Sequence, residues 1–236
     1  MISVCMATYN GGKYIEEQVR SILPQLSEGD ELIVSDDHSA DDTIDILKSI
    51  RDERIRIFTN PGQKGYAGNF ENALRQAGGD IIFLSDQDDV WMDGKADAVL
   101  RELERCDFVV TDAEIVDSNR NPLYPSHFAH TSVRQGFLLN FWKTRYIGAC
   151  MAFRRRVLQK ALPFPRNRAL CAHDYWLAIV AELYFRVGLI HKPCLRYRRH
   201  DGNASSGGLD KSNASIYRRI IKRIYCGLHL IRICLK

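Results

Sequence analysis

No stretch of this 236-residue chain has the length and apolar character of a membrane span, and no two cysteines have zinc-site spacing. A span needs roughly 20 consecutive apolar residues, and no run in the chain approaches that length. The seven cysteines are odd in number and contain no C-x-x-C pair, which argues against a disulfide framework and a zinc site. The amino terminus reads as a core strand rather than a secretory signal. We therefore expect reduced thiols and a cytoplasmic location.

Internal linkers are also absent before Gly202. With 45% hydrophobic residues, the chain can bury one substantial core. We expect a single domain over residues 1–205, with a first half at 1–105 and a second half at 106–205. Small residues from Ser205 to Leu209 are typical of a flexible connection or a lid, so residues 206–236 are expected to form that connection and a terminal helix.

Three short apolar segments in the first 105 residues are each followed by a polar loop and a helical pattern. They cover residues 2–7, 31–35 and 80–85, and the first helix is expected to end near Pro24. Repeated strand-to-helix units predict an α/β fold with a mostly parallel sheet and helices on both faces. The carboxyl ends of such strands face one crevice, which is where ligands bind.

The third segment ends in three carboxylates, Asp86, Asp88 and Asp89, within one short turn. Clustered carboxylates repel one another unless a cation or a raised pKa relieves them, and hard oxygen ligands suit Mg²⁺ or Mn²⁺. Such an ion keeps open positions for phosphate oxygens, which indicates an enzyme that handles a nucleotide or diphosphate. The alternative is a solvated acidic turn of the kind common on protein surfaces.

A second strand end, at residues 31–36, also stops in acid. Asp36 and Asp37 lie close to the strand and are expected to bind a ligand, although Asp36 could instead cap the helix that follows. Asp41 is expected to cap that helix, because aspartate accepts from the free N–H groups of a first turn.

These segments resemble family 2 glycosyltransferases in their order and spacing. The nucleotide-sugar half of that family is matched by Ala7-Thr8-Tyr9-Asn10, Asp36-Asp37-His38-Ser39-Ala40-Asp41, Gly78-Gly79-Asp80 and Asp86-Gln87-Asp88-Asp89. The acceptor half of bacterial surface-polysaccharide members is matched by 148–153, 173–176 and 196–203. The resemblance covers nearly the whole chain and implies a GT-A fold.

The resemblance also implies roles for the donor-site residues. In the loop that follows Thr8, Tyr9 would lie against the base, and Asp37, with Asp36, would accept from the ring N–H of uracil or thymine. Tyr9 could equally be a half-buried loop aromatic. Asp86 would bond the ribose.

The resemblance also implies which residues lie near the metal and the diphosphate. The resemblance assigns the metal, Mn²⁺ or Mg²⁺, to Asp88 with support from Asp89. Lys64 lies in a glycine-rich connection that opens a helix and could approach phosphate. His200 would be a secondary metal or phosphate contact, although a lone histidine is more often a surface residue.

Asp174 is the candidate catalytic base. An inverting transfer needs a carboxylate to take the proton from the attacking sugar hydroxyl. Asp174 begins an apolar helix, where an aspartate can also be a simple cap. The family motif favours the base, and relatives often carry glutamate where this chain has His173.

The end of the chain is strongly basic. From Lys211 onward there are seven Lys or Arg and no Asp or Glu, against a net charge of +4 for the whole chain. Ile216, Ile220, Ile224, Leu228 and Ile231 recur at helical spacing, which predicts a basic amphipathic helix suited to an anionic membrane surface. The alternative is that this stripe packs back on the domain. Nucleic acid is not expected, because the rest of the chain is acidic and no binding motif is present.

Together these features predict an inverting, metal-dependent transferase on the inner face of the cell inner membrane. It would move a sugar from a UDP- or dTDP-sugar to a lipid-linked (polyprenyl diphosphate) saccharide in bacterial O-antigen or capsule synthesis. Two alternatives stay open at this point. One is a non-catalytic scaffold at the membrane surface, and the other is a Mg²⁺-dependent phosphoryl-transfer or receiver-like domain.

Overall fold

The computed structural model describes residues 1–62, 64–200 and 216–234. The predicted flexible connection at 206–215 and the predicted lid at 205–209 lie outside the described residues. The strands are β1 (Ile2–Thr8), β2 (Glu31–Asp36), β3 (Ile55–Thr59), β4 (Ile81–Asp86), β5 (Val90–Trp91), β6 (Phe108–Asp117), β7 (Pro122–Tyr124), β8 (Met151–Arg154) and β9 (Val187–Arg199). The helices are α1 (Ile15–Ile22), α2 (Thr43–Ser49), α3 (Tyr66–Gln76), α4 (Lys95–Leu103), α5 (His127–Thr131), α6 (Phe137–Lys143), α7 (Arg155–Ala161), α8 (His173–Tyr184) and α9 (Ile216–Cys234).

All nine strands belong to one sheet with the order β3-β2-β1-β4-β8-β6-β9-β5, and β7 pairs with β6. Strands β1 to β4 are parallel to one another. β8 runs antiparallel between β4 and β6, and β9 runs parallel to β6 along its whole length. The predicted mostly parallel α/β architecture is confirmed, and the sheet continues without interruption through both predicted halves.

The central strands are apolar because both of their faces are covered. Every residue of β2 is buried, and β1 is buried except for one partly exposed position. α1 places Ile15, Val19 and Ile22 on one buried face at the three-to-four-residue spacing of a helix. α8 is buried continuously from Tyr175 to Ala181, which makes it the most enclosed helix of the second half.

The carboxyl ends of the first strands lie at the same level of the sheet. Thr8 is opposite Asp36 on β2, and Ala7 is opposite Asp86 on β4. The loops that leave these strands therefore meet at one edge, as the sequence predicts.

β9 contains Pro193, which predicts an edge position because proline cannot donate to a sheet ladder. Pro193 lies opposite Asp112, at an irregularity in the register between β6 and β9. On its other side β9 pairs with β5 only at Leu195 and Arg196. Over the rest of its length, within the described residues, β9 is the edge strand.

The terminal helix α9 forms where the pattern predicts it, and it packs on the domain through a face outside the predicted stripe. Cys226, Leu230 and Ile233 are buried against the domain, while the predicted stripe from Ile216 to Ile231 is exposed. The alternative is therefore right that the helix packs back on the domain and wrong about the face, because a neighbouring face makes the contact. Within the described ranges, no helix is long and apolar enough to cross a membrane.

Candidate active site

The acidic turn after β4 brings three carboxylates together. Oxygen atoms of Asp86, Asp88 and Asp89 lie within 4.8 Å of one another. Asp89 is fully buried, and its Oδ1 accepts from the backbone N–H of Arg198 at 2.9 Å. Its Oδ2 has no hydrogen-bond partner among the residues that the structure describes. A buried carboxylate oxygen without a partner is costly unless a ligand or ion supplies one.

The pKa values of this cluster report the same deficit of positive charge. Burial, followed by the charges of Asp88 and Asp174, raises the pKa of Asp86 to about 8. Burial, followed by the charges of Asp88 and Asp86, raises the pKa of Asp89 well above its usual value. The buried Lys95 ammonium offsets this only weakly, since it donates to the Ala149 carbonyl at 2.9 Å and burial lowers its own pKa. The three oxygens and the unpartnered Oδ2 therefore fit a divalent cation.

His200 lies beside this cluster, as the resemblance implies. Its Nε2 is hydrogen-bonded to Oδ2 of Asp88 at 2.9 Å, and its ring lies 4.9 Å from that of Tyr14. The imidazole is thus placed to orient the Asp88 carboxylate or to contact a ligand bound there.

Arg198 holds the acidic turn in place through hydrogen bonds to Asp88 and Asp89. It lies in the basic segment that ends β9 and is almost fully buried. Its Nε donates to the Asp88 carbonyl at 2.7 Å, and its terminal nitrogens donate to Glu17 at 2.7 Å and to the Ser118 carbonyl at 3.0 Å. Sequence reasoning missed this role because its donors go to residues far away in the chain.

The acids at the end of β2 are hydrogen-bonded by the protein itself. Asp36 accepts from the side chains of Thr8 and Ser39 and from the backbone N–H of Ser39. Asp37 accepts from Asn60 Nδ2 at 2.9 Å and from the N–H of Gly65 at 2.7 Å. Asp36 thus builds the loop, while Asp37 faces the connection that opens α3.

Asp41 lies at the start of α2. It accepts from the N–H of Thr43, the first residue of the helix, at 3.2 Å. The cap position of α2 is Asp42, so Asp41 binds the start of the helix from one residue before the cap position.

Tyr9 is 57% exposed at the same edge, with its backbone held in place. Oε1 of Gln87 accepts from the Tyr9 N–H at 2.8 Å, and Nε2 of Gln87 donates to the Tyr9 carbonyl at 3.1 Å. Asn69 similarly donates to the Thr8 carbonyl at 2.9 Å. These two amides were not predicted, although Gln87 stands between the acids that were.

Lys64 precedes the anchored Gly65, whose φ of 104° suits a residue without a side chain. Lys64 is exposed, and it forms no hydrogen bond or ion pair with any residue in the described part of the chain. The structure therefore places it near the Asp37 connection but does not bring it into contact with the acidic turn.

Asp174 faces the same crevice from the second half. It does not occupy the cap position of α8, which is Ala172, and its Oδ1 accepts from the Tyr175 N–H at 2.7 Å. Its charge contributes to the raised pKa values of Asp86 and Tyr66, which places it within electrostatic reach of both. Gly148 lies against it, because a Cβ on Gly148 would be 3.2 Å from the Asp174 Cβ.

His173 is buried, and its apolar surroundings disfavour the charged imidazolium. Its ring stacks on Phe70 with 4.1 Å between centroids, and burial lowers its pKa. Neither ring nitrogen has a hydrogen-bond partner within the described residues. Its aromatic packing joins α3 to the start of α8.

Comparisons with known proteins identify the family of the chain. The family model described as glycosyl transferase family 2 matches residues 3–162. The chain is 29% identical over 210 residues to the Escherichia coli UDP-Glc:alpha-D-GlcNAc-diphosphoundecaprenol beta-1,3-glucosyltransferase WfgD, covering 87% of this chain and 80% of that protein. It is 29% identical to the Shigella flexneri dTDP-rhamnosyl transferase RfbG, covering 91% and 78% of the two chains. It is 30% identical to the Bacillus subtilis putative teichuronic acid biosynthesis glycosyltransferase TuaG, covering 93% and 88%.

Solved structures show the same fold. Staphylococcus aureus TarS 1–349 in complex with UDP-GlcNAc superposes with a TM-score of 0.73 at 20% identity, covering 95% of this chain and 66% of that one. A Pyrobaculum calidifontis mannosyltransferase in complex with GDP-Man and Mn²⁺ superposes with a TM-score of 0.62 at 21% identity, covering 98% and 64%. The chain belongs to glycosyl transferase family 2, and it is a glycosyltransferase with the GT-A fold.

Proposed function

We propose that this glycosyltransferase moves one sugar, with inversion, from a UDP- or dTDP-sugar to a saccharide carried on polyprenyl diphosphate. The observation that carries the proposal is the cluster of Asp86, Asp88 and Asp89 at one sheet edge, with Asp174 close enough to contribute to the raised pKa of Asp86. The first three acids can hold an ion on a diphosphate, and the fourth can accept a proton. Both groups are what an inverting transfer requires.

The donor base would be recognised at the ends of β1 and β2. The Asp37 carboxylate keeps lone pairs for the ring N–H that uracil and thymine share. Tyr9 supplies an exposed ring on a backbone that Gln87 holds at two points. Recognition of an N–H that both bases share would let relatives named for UDP-Glc and for dTDP-rhamnose use the same kind of base site.

The diphosphate would lie at the turn after β4. Asp88 and Asp89 would hold Mn²⁺ or Mg²⁺, Asp86 would bond the ribose, and Lys64 and His200 would approach phosphate. When bound, the ion supplies charge neutralisation for the departing nucleoside diphosphate. The protein contributes a fixed turn, since the Arg198 side chain donates to the Asp88 carbonyl and the Arg198 backbone N–H donates to the Asp89 carboxylate.

Asp174 would act as the catalytic base. The Tyr175 N–H fixes Oδ1, so Oδ2 is the oxygen available to an acceptor hydroxyl. Gly148 leaves room there, because any side chain at that position would press on Asp174. The proton would pass from the acceptor hydroxyl to Asp174 as the hydroxyl oxygen attacks the anomeric carbon from the face opposite the leaving group.

The acceptor and its setting follow the relatives. WfgD and a Campylobacter jejuni relative at 35% identity over 104 residues are both named for acceptors on a diphosphoundecaprenol or PP-undecaprenol carrier. We assign this chain the same acceptor class, in bacterial O-antigen or capsule synthesis, at the inner face of the cell inner membrane.

The test is transfer by the purified chain to a synthetic polyprenyl diphosphate disaccharide. UDP-glucose, UDP-galactose and dTDP-rhamnose are offered in turn with Mn²⁺, and products are identified by mass and by anomeric configuration. One donor should be used with inversion, and Asp174→Asn should lower kcat by roughly 10²–10⁴-fold. Asp45→Asn, on an exposed face of α2, is the matched control and should leave transfer unchanged.

Transfer that survives in Asp174→Asn, or a product that retains the donor configuration, would contradict the assignment of the base. Failure of all three donors with a folded, nucleotide-binding protein would contradict the donor class.

A further inference from the structure

Two helices of the second half expose large apolar side chains. On α6, Leu138 is 78% exposed and Leu139 and Trp142 are each 59% exposed. On α9 the exposed residues recur three or four apart on one side of the helix. They are Ile220, Ile224, Leu228 and Ile231. Contiguous exposed apolar residues on a folded domain mark an interaction site more often than single ones do.

The two sets lie on adjoining helices. The Arg223 guanidinium on α9 donates from Nε to the Trp142 carbonyl at 3.0 Å, at the carboxyl end of α6. Gly227, one turn further along α9, faces Phe141, since a Cβ on it would be 3.8 Å from the ring. We call the seven exposed residues the α6–α9 surface: Leu138, Leu139, Trp142, Ile220, Ile224, Leu228 and Ile231.

Folding does not require this surface to be apolar. α9 is already attached through Cys226, Leu230 and Ile233, and Lys160 donates to the Ile233 carbonyl at 2.8 Å. The outward isoleucines Ile220, Ile224 and Ile231 nevertheless stay 42–58% exposed in the described part of the domain. A helix that is apolar on an inner and an outer face is expected where both faces are covered.

The charge around the surface indicates what covers it. α6 and α9 contain no Asp or Glu, and their Lys and Arg residues are Lys143, Arg218, Arg219, Lys222, Arg223 and Arg232. Apolar side chains on helices whose own charged residues are all basic complement an anionic phospholipid bilayer, which offers both hydrocarbon and negative headgroups. Trp142 adds an amphipathic ring of the kind that is enriched at membrane interfaces.

We propose that the α6–α9 surface binds the anionic face of a phospholipid bilayer, with α6 and α9 inserting together. This inference rests on the proposed function and deepens it, because it also sets the orientation of the active site. Tyr175, next to Asp174, donates its hydroxyl to the Phe141 carbonyl, and the Arg223 guanidinium lies 4.7 Å from its ring. The bilayer would therefore lie on the acceptor side, where a polyprenyl diphosphate emerges from the headgroups.

The experiment is co-sedimentation with two kinds of phosphatidylcholine vesicle. One kind contains no anionic lipid, and the other contains about 30% phosphatidylglycerol. The wild type is compared with Leu139→Ser/Trp142→Ser on α6 and Ile224→Ser/Ile231→Ser on α9. Leu123→Ser, at an exposed leucine on β7 outside the surface, is the control. Circular dichroism verifies that each variant is folded.

We expect the wild type to bind the anionic vesicles. Each double variant should bind at least about tenfold more weakly, because each loses two apolar side chains that the bilayer would bury. Leu123→Ser should bind as the wild type does. The loss in the α6 variant is decisive, since a terminal helix that acted alone would not need Leu139 or Trp142.

Absence of wild-type binding to anionic vesicles, or unchanged binding by the α6 variant, would overturn the proposal. So would a dimer in light scattering that the α6 variant dissociates, because the surface would then join two copies of the chain. Transfer to a short-chain, water-soluble acceptor tests the proposed function without vesicles. The two proposals can therefore fail separately.

Discussion

The two acidic strand ends of this molecule have similar sequences and different surroundings. Ser35-Asp36-Asp37 lies at the end of β2, and Ser85-Asp86-Gln87-Asp88-Asp89 lies at the end of β4. In the sheet, β1 lies between these two strands. At β2 the protein supplies donors to both acids from Thr8, Ser39, Asn60 and Gly65. At β4 a buried oxygen of Asp89 has no partner among the described residues, and the pKa of Asp86 is raised to about 8.

The difference supports the role that we propose for each strand end. A loop whose acids already accept hydrogen bonds from the protein is held in place before any ligand arrives, which suits recognition of a flat base. A turn whose acids lack donors is electrostatically incomplete and gains most from a cation and its diphosphate. The predictions below test this division between a recognition end at β2 and an ion-binding end at β4.

The largest effect is expected at the ion-binding end. Asp88→Ala removes the carboxylate assigned to the metal, and transfer should fall on the order of 10³-fold, the equivalent of several kcal/mol of lost charge stabilisation. Added Mn²⁺ at high concentration should recover little of this. Steady-state transfer assays check it, and Asp45→Asn should behave as the wild type. Activity within tenfold of the wild type would remove Asp88 from the metal site.

A smaller effect on donor affinity is expected at the recognition end. Asp37→Asn replaces a charged acceptor by a neutral one, which should weaken UDP binding by roughly 10–100-fold, as for the loss of a hydrogen bond to a charged group. The dependence of binding on Mn²⁺ should persist, because the β4 turn is untouched. Calorimetric titration measures both quantities, and an unchanged dissociation constant would exclude Asp37 from base recognition.

Stability should separate the two ends further. Asp36→Asn disturbs the bonds from Thr8 and Ser39, so it should lower stability by about 1–3 kcal/mol with or without Mn²⁺. Asp89→Asn should not lower the melting temperature of the metal-free protein, because it removes the buried charge whose desolvation and repulsion from Asp88 and Asp86 raise the pKa of Asp89. It should, however, abolish stabilisation by Mn²⁺. Thermal melts of both variants decide this, and a shared response to Mn²⁺ would contradict the division.

The smallest effect is expected at Gln87, which connects the β4 turn to the loop after β1. Gln87→Ala removes the two hydrogen bonds to the Tyr9 backbone, each contributing about 1 kcal/mol, and the donor KM should rise severalfold while kcat changes little. Gln87→Glu should restore only the acceptor half of the contact and give an intermediate KM. A fall in kcat without a change in KM would show that Gln87 acts on the chemical step instead.

The sequence predicts the strand ends well because their signals are local. Apolar runs that stop in acid identify β2 and β4, and parallel pairing then brings Asp36, Asp37 and Asp86 to one level of the sheet. The resemblance adds Asp174, which the structure places within electrostatic reach of Asp86.

Contacts between distant segments were not predictable in this way. Arg198 reaches the backbone of Asp88 from a strand 110 residues later, and no local pattern distinguishes it from its basic neighbours. The outcome for α9 has a similar cause. Periodicity identifies an apolar stripe, but which face docks depends on the shape of the domain beneath it, and here Leu230 docks while Ile224 is exposed.

The central claim is that the β4 turn binds the donor through a divalent ion while the β2 loop reads its base. Calorimetric titration of UDP and dTDP into the wild type and Asp88→Ala, each with and without Mn²⁺, tests it most directly. The account predicts tight binding of at least one nucleotide only with Mn²⁺, and loss of that dependence in Asp88→Ala. Equal binding with and without Mn²⁺, or no binding of either nucleotide to the folded wild type, would contradict it.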